Sequence, residues 1–452
     1  MTRPSRFDRP FALGLLLFGA SLGTAQTTSR AAYILQVSPG TQITALAPKY
    51  GLTVQNSWTS DKYWSYSVTA PQLLPPAVVT RLRAEHGVLQ LETNSIVRAA
   101  ETETDSRVKP SIQALGSWFP FAKTVNYYGS KVHSGYVQQP MTEIIELDQA
   151  QKKFGAGSGI VAIIDTGVDP THPALRNVLL PGYDFTRNRS DTVSEFYDLQ
   201  PDIAAYLQQS TVEILDGGPK VVLQVNSSTV AILNQSTVEI LDGNGLPNAF
   251  GHGTMVAGLV HLVAPEARIM PLKAFHADGS AQLSDIVRAI HFAVDHGANV
   301  INMSFSFAAL SAELQSAVEY ASSRGVLCVA SSGNAGKSAL VYPAALPMVI
   351  GVGSTNYSDR RSPFSNFGRA ARTSAPGEAL VTPFPGNTYA GVWGTSFSSA
   401  LVSGALALFK QAAPHLHMDD VDDTLDYGAR IDEGMGDARL DLFRSLTYLV
   451  RK

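Results

Sequence analysis

The chain has 452 residues, of which 45% are hydrophobic and 16% charged, and its net charge is -4. This is globular composition with room for two or three domains, and the charge balance speaks against nucleic acid as a partner. One cysteine, Cys328, excludes an internal disulfide; inside "GVLCVAS" it is expected to pack as a small hydrophobe rather than act as a reactive thiol.

In chain order, Arg3, Arg6 and Arg9 precede the apolar run "FALGLLLFGASLG", and small residues follow in "GTAQ". That is the pattern of an export signal over residues 1–25, cleaved after Ala25. The run is short for a membrane span, and no other segment reaches the ~20 apolar residues a span needs. A secreted or periplasmic protein without stable membrane insertion is expected; an uncleaved anchor is the alternative.

Residues 26–100 read as a unit. "AYILQV" is strand-like, "TQITALAPKYG" helical, "LTVQNSW" and "YWSYSVTA" a strand pair, "LPPAVVTRLRAEHG" an amphipathic helix, and "VLQLETNSIVRA" a returning strand. The order β-α-β-β-α-β predicts a small ferredoxin-like α+β domain. Residues 101–140 lack periodicity and read as a linker, partly ordered by its aromatics. From 141 to 452, apolar strands such as "GIVAII", "NVINMSF", "VLCVAS" and "MVIGVGS" alternate with helices such as "LSDIVRAIHFAVDHG". This predicts an α/β domain with a mostly parallel sheet and helices on both faces, and sites at the C-terminal strand ends. His291 and His296 on that helix are expected near its surface.

An insertion at about 190–247 breaks the alternation. "QSTVEILDG" occurs at 209–217 and again at 235–243, with "STVAIL" between them. Alternating β-branched residues and turn signals predict a small β-meander, either a duplicated spacer or a rim of a cleft.

Chemistry-bearing residues cluster at element ends. Asp165 follows the strand "VAII", His252 sits between glycines at the start of an apolar helix, and Asn334 lies in a Gly-flanked turn past "VLCVAS". Ser396, in "WGTSFSSALVSGALAL", opens another helix, where it could be a cap or a nucleophile. An acid, a base, an amide donor and a hydroxyl in the order Asp, His, Ser match the subtilisin order. His415 and His417 before "MDDVDD" read as a solvated helix start rather than a metal site.

The sequence resembles the subtilisin-like serine proteases in "AIIDTGVDPTHPAL", "GHGTMVAG", "SSGNAG" and "GTSFSSALVSGALAL", across about residues 141–446. The resemblance implies that Asp165, His252 and Ser396 are a catalytic triad and that Asn334 is an oxyanion donor. It places substrate beside Ser304, Phe305 and Ser306 and across from Ser331, Ser332 and Gly333. No carboxylate lies among these, so apolar residues before the scissile bond are expected, with Val341 near the pocket floor. The 26–100 unit resembles the family's inhibitory propeptide, which implies a precursor that cleaves itself within 101–140. The implied protein is a monomeric secreted endopeptidase whose partners are polypeptide substrates and its own propeptide; an impaired relative that only binds peptides is the alternative. No cofactor is implied for the chemistry, and no metal ligands are assigned. Structural calcium occurs in the family, but Ala174 replaces an aspartate that ligates it in many members. Phe397 and Ala400 replace a methionine and a proline of the serine motif. A glutamate-based acid peptidase of the same fold is opposed by "GHGT", and an esterase elbow by the missing glycine in "GTSFS".

Overall fold

The computed structural model describes residues 30–99, 115, 123–215, 220–226, 228–234, 245–431, 434–436 and 438–452. The expected export signal and much of the linker fall outside them.

The N-terminal domain builds strands β1 (Ala31–Val37), β2 (Thr53–Thr59), β3 (Trp64–Ala70) and β4 (Val88–Thr93), with helices α1 (Ile43–Lys49) and α2 (Pro76–Arg83). Their order across the sheet is β2-β3-β1-β4, all neighbours antiparallel, which is the ferredoxin-like arrangement. Tyr33, Leu35, Val37, Leu82 and Leu91 are buried in its own core. The last expected strand divides at Asn94–Ser95. Its second half, β5 (Ile96–Arg98), leaves this sheet and pairs antiparallel with Ser280–Gln282 of the main domain.

The main domain centres on a sheet whose strands, among the described residues, run in the order 429–430, 438–439, 373–376, 349–355, 327–331, 300–303, 160–165, 268–273, 183–184. From 373–376 to 183–184 every neighbouring pair is parallel. Strands such as Val349–Thr355 are buried along their whole length, because helices cover both faces. Cys328 is completely buried in this sheet, and burial pushes its thiol up to about 12, so it packs as a hydrophobe.

Two helices lie within the core. His252–Val263 is buried at every residue, and Thr395–Ala412 is buried from Thr395 to Phe409. Small residues let them meet: a Cβ at Gly404 would lie 2.6 Å from Val263 Cβ and 3.1 Å from the Val260 carbonyl oxygen.

Three expectations need correction. The 101–140 linker does not extend to 140: Thr124–Tyr127 and Ser130–His133 form a hairpin, and Tyr127 and Tyr136 donate hydroxyl bonds to the Leu262 and Gly258 carbonyls. These aromatics supply area and a polar tip together, which docks the segment without regular periodicity. His291 is not near the surface but 2% exposed. Its ring stacks on Tyr320, and its Nε2 lies 3.1 Å from the Tyr63 hydroxyl of the N-terminal domain, which covers this face of the helix.

The β-meander is the third, and only in part: an antiparallel hairpin forms from Lys220–Asn226 and Thr229–Asn234, but the first copy is not a strand. The first "STVEIL" copy lies in a helix, Pro201–Leu215. Pro201 and Asp202 begin that helix, and each further residue extends it at the gain of one hydrogen bond, overriding β propensity. The middle copy forms the strand Thr229–Asn234, paired with Lys220–Asn226 on one side and Thr388–Val392 on the other. The last copy, 235–243, lies outside the described residues.

The contact at Gly404 leaves no space for a methyl group. Gly404→Ala is expected to destabilise the main domain by about 1–3 kcal/mol through overpacking. Thermal unfolding of Gly404→Ala beside the wild type should show the lowered melting temperature.

Candidate active site

Asp165 ends the strand Ile160–Asp165, and His252 is the first residue of its helix. The imidazole Nδ1 lies 2.8 Å from Asp165 Oδ1, with the two side chains 3% and 4% exposed. The Thr166 amide donates to the same Oδ1 at 2.7 Å. The carboxylate therefore stays hydrogen-bonded although water is excluded. Gly253 matters for proximity rather than for backbone freedom. A Cβ there would lie 2.0 Å from the Gly167 carbonyl oxygen and 3.2 Å from Asp165 Cβ.

Ser396 does not cap its helix. Gly394 is the N-cap, Thr395 the first helical residue and Ser396 the second. Its Oγ donates to the Ser304 carbonyl at 3.2 Å. Below it runs a buried polar chain. Asn302 Nδ2 donates to Ser403 Oγ (2.9 Å), Ser403 Oγ to the Ser399 carbonyl (2.9 Å), and Ser399 Oγ to the Ser396 carbonyl (2.8 Å). Ser304 Oγ closes the chain on Asn302 Oδ1 at 2.7 Å. Fully satisfied networks of this kind fix one geometry, and here they hold the serine turn onto the end of the Val300–Met303 strand.

The hydrogen bonds orient the Asn334 amide. Its Oδ1 accepts from the Thr395 backbone N–H at 3.0 Å and the Thr395 hydroxyl at 2.9 Å. An N–H can only donate, so the oxygen must face Thr395 and Nδ2 must face the other way. Nδ2 lies 3.6 Å from where a Cβ on Gly394 would be, at the start of the serine helix. Two partial positive charges, the amide N–H and the helix N-terminus, thus converge on one spot.

Phe397 joins the two halves of the site. It is completely buried, and its ring centroid lies 5.6 Å from that of His252. It forms a wall between the imidazole and the Gly394 turn.

Ser304, Phe305, Ser331 and Ser332 are buried, and Gly333 approaches both Ser306 Oγ and Asn366 Nδ2. The two stretches expected to flank substrate are therefore neighbours. Phe305 packs 5.0 Å from Phe275, centroid to centroid, and Val341 is half-buried in the same apolar cluster.

At the position where the resemblance implies a calcium-ligating aspartate, the side chain offers no ligand oxygen. Ala174 is a buried methyl group. Elsewhere in the domain, Asp184 is occupied by the hydroxyls of Thr186 and Thr192 and by Arg187, while Asp198 is bonded to Arg187 and to the fully buried Lys273. Protein cations already neutralise these carboxylates, and among the described residues no group of three or more acidic, histidine or cysteine side chains could hold a metal.

Sequence reasoning misses Glu195. This residue of the insertion is completely buried behind the Asp165–His252 pair, within hydrogen-bond reach of Thr166, Gly253 and Thr254. Thr166 and Thr254 lie within the two motifs and could have signalled that a partner was needed. Nothing in the sequence pattern identifies a glutamate in the insertion as that partner.

The model of the subtilase family matches residues 157–440. Subtilisin BL of Lederbergia lenta is 40% identical over 173 residues, 36% of this chain and 64% of that protein. The thermophilic serine proteinase of Bacillus sp. (strain AK1) is 32% identical over 321 residues, 71% of this chain and 65% of that protein. The chain thus spans just under two thirds of the length of these relatives. Thermitase of Thermoactinomyces vulgaris is 30% identical over 263 residues, 56% of this chain and 75% of its own length. The crystal structure of fervidolysin from Fervidobacterium pennivorans, a keratinolytic enzyme related to subtilisin, superposes with a TM-score of 0.66 at 19% identity, over 93% of this chain and 61% of that one; this likeness concerns the fold alone. With the motifs, the parallel sheet and the family match in agreement, the chain belongs to the subtilase family.

Proposed function

We propose that the protein is a secreted serine endopeptidase made as a precursor. The observation that carries this reading is the buried 2.8 Å contact between His252 Nδ1 and Asp165 Oδ1, beside a serine helix whose start is faced by an oriented amide. His252 takes the Ser396 hydroxyl proton through its other ring nitrogen as Oγ attacks a peptide carbonyl. Asp165 holds the ring and stabilises its cationic form. The Asn334 Nδ2 and the Ser396 backbone N–H receive the oxyanion. His252 then protonates the leaving amine, and water releases the acyl group by the same steps. Substrate backbone would pair beside Ser304–Ser306 and Ser331–Gly333, and apolar side chains before the scissile bond would meet no carboxylate there.

The N-terminal domain would be the propeptide. Its strand β5 lies on the 280–282 edge, where an extended peptide can add a strand, and the Ala99 N–H donates to the Gly279 carbonyl at 2.8 Å. The domain also caps two helices of the peptidase. The Ser95 carbonyl and Asn94 Oδ1 accept from the Leu283 and Ser284 amides, and Glu92 Oε2 accepts from the Glu313 amide. Self-cleavage is expected beyond Ala99, in the segment ahead of the 124–133 hairpin. Export rests on the signal-like N-terminus; among the described residues no helix is long and apolar enough to cross a membrane.

Ser396→Ala should accumulate only as the uncleaved form, and N-terminal sequencing of the mature wild type should begin after residue 99. A Ser396→Ala protein that matures when expressed alone would exclude self-processing. Asn334→Leu should lower kcat about 100- to 1,000-fold with KM nearly kept, the known worth of the corresponding side chain in subtilisin. Wild-type kcat in this variant would remove the oxyanion role.

The interface between the two domains carries a pH dependence. Glu313 is completely buried against Ser65 and Glu92, and burial first, then the Glu92 charge, push its carboxyl from 4.5 up to about 8. The complex therefore keeps a proton that the exposed carboxyl would release, and association weakens as pH rises towards 8. His291, lowered by burial from 6.5 to about 4, opposes this at lower pH, because the complex excludes its proton. The two trends offset one another between about 4.5 and 6.5, and above that Glu313 acts alone. Inhibition of the mature enzyme by a 26–99 fragment should weaken roughly tenfold or more from pH 6.5 to 8, and Glu313→Gln should flatten the dependence.

A further inference from the structure

The 3-10 turn Glu195–Asp198 brings one side chain of the insertion beneath the catalytic pair. Glu195 is completely buried, and a Cβ built on Gly167 would lie 3.3 Å from its Cγ. Its Oε1 accepts from Thr166 Oγ1 at 2.5 Å and from the Gly253 amide at 3.2 Å, and its Oε2 accepts from the Thr254 hydroxyl. Thr166 follows Asp165, and Gly253 and Thr254 follow His252. One carboxylate thus ties the backbone that carries the acid to the backbone that carries the base.

The tie has a polarity. Thr166 has a single hydroxyl proton, and its Oγ1 lies 2.5 Å from Glu195 Oε1 but 3.2 Å from Asp165 Oδ1. With Glu195 ionised, the proton goes to Glu195, and Asp165 Oδ1 keeps the bonds from His252 and the Thr166 amide. With Glu195 protonated, its own O–H can donate to Thr166 Oγ1, and the threonine proton turns to Asp165, competing with the imidazole. The charged groups around this carboxyl are Asp165 and His252 in front, Lys273 and Asp198 behind, with Arg187 beyond Asp198, and Asp169, whose amide donates to Thr254 Oγ1.

We infer that Glu195 is a positioning residue for peptide hydrolysis: through Thr166, Gly253 and Thr254 it sets the geometry of the Asp165–His252 pair and adds negative charge behind it. This rests on the serine endopeptidase reading. Burial first, and then the Asp165 charge, push the Glu195 carboxyl up to about 7, against the hydroxyls of Thr166 and Thr254 and the charge of Lys273. Its titration therefore falls where a histidine base titrates, and the acid limb of activity belongs to the cluster rather than to one group.

The test uses the whole self-processed enzyme. Wild type, Glu195→Gln and Glu195→Asp are compared by kcat and KM against pH on a soluble peptide, with active sites counted by a fluorophosphonate. Glutamine can still accept from Gly253 and donate to Thr254 Oγ1, so shape is kept while charge is lost. An ionised Glu195 favours the imidazolium, so its removal should move the acid limb of kcat/KM to lower pH by about one unit. At alkaline pH, kcat per labelled site should fall about tenfold with KM within about twofold, a loss of positioning rather than of binding. The aspartate variant keeps the charge but cannot reach all three partners; it should keep the acid limb and lose kcat. A glutamine variant whose profile per labelled site coincides with wild type overturns the inference. So does an aspartate variant with full kcat, which keeps the question answerable if the glutamine variant fails to fold. A wild type that neither cleaves peptide nor takes label overturns the endopeptidase reading as well, whereas an active wild type with indifferent variants overturns the role of Glu195 alone.

Discussion

Everything in the site depends on two buried helices packed against each other across small residues. His252 begins one and Ser396 lies in the first turn of the other. Neither helix has a solvent face to relax towards, and Gly404 removes the side chain that would hold them apart. Core packing at this density transmits displacement rather than absorbing it. The separation of His252 and Ser396 is therefore set by the core of the protein and not by a flexible loop.

Burying this chemistry brings a second constraint, because each polar group removed from water needs a partner. The protein meets it by layers. Asn302, Ser304, Ser399 and Ser403 satisfy one another below Ser396. Thr395 satisfies the oxygen end of Asn334 and thereby directs its nitrogen. Glu195, Thr166 and Thr254 do the same behind the Asp165–His252 pair, and Lys273 and Arg187 neutralise the aspartates further out. These carboxylates are balanced by side chains of the chain itself.

The N-terminal domain uses the same economy at a seam. Its loops supply acceptors to the open N-termini of two helices of the main domain, and its strand pairs with that domain's 280–282 edge. Backbone groups with no partner inside their own element are natural docking points. The same seam buries Glu313 and His291, and burial moves their protonation in opposite directions, the carboxyl up and the imidazole down.

The positions of Asp165, His252, Asn334 and Ser396 at element ends were legible in the sequence, because strand–helix alternation and glycine-bounded turns are local signals. The four strands and two helices of the N-terminal domain were legible for the same reason. The insertion was legible only in its antiparallel hairpin: closely similar strings read equally well as strand or helix, and the first copy, STVEIL, is helical by what precedes it, while the middle copy, STVAIL, is a strand through its pairing with Lys220–Asn226 and Thr388–Val392. His291 sits on a helical face that looks peripheral until another domain covers it. Glu195 had no signal because its partners lie far away in sequence and meet only when the sheet places them together. Periodicity and turn chemistry act over a few residues and leave their trace in the sequence. Burial, partner choice and the balance of buried charge are properties of neighbours in space, so the tertiary structure alone decided them.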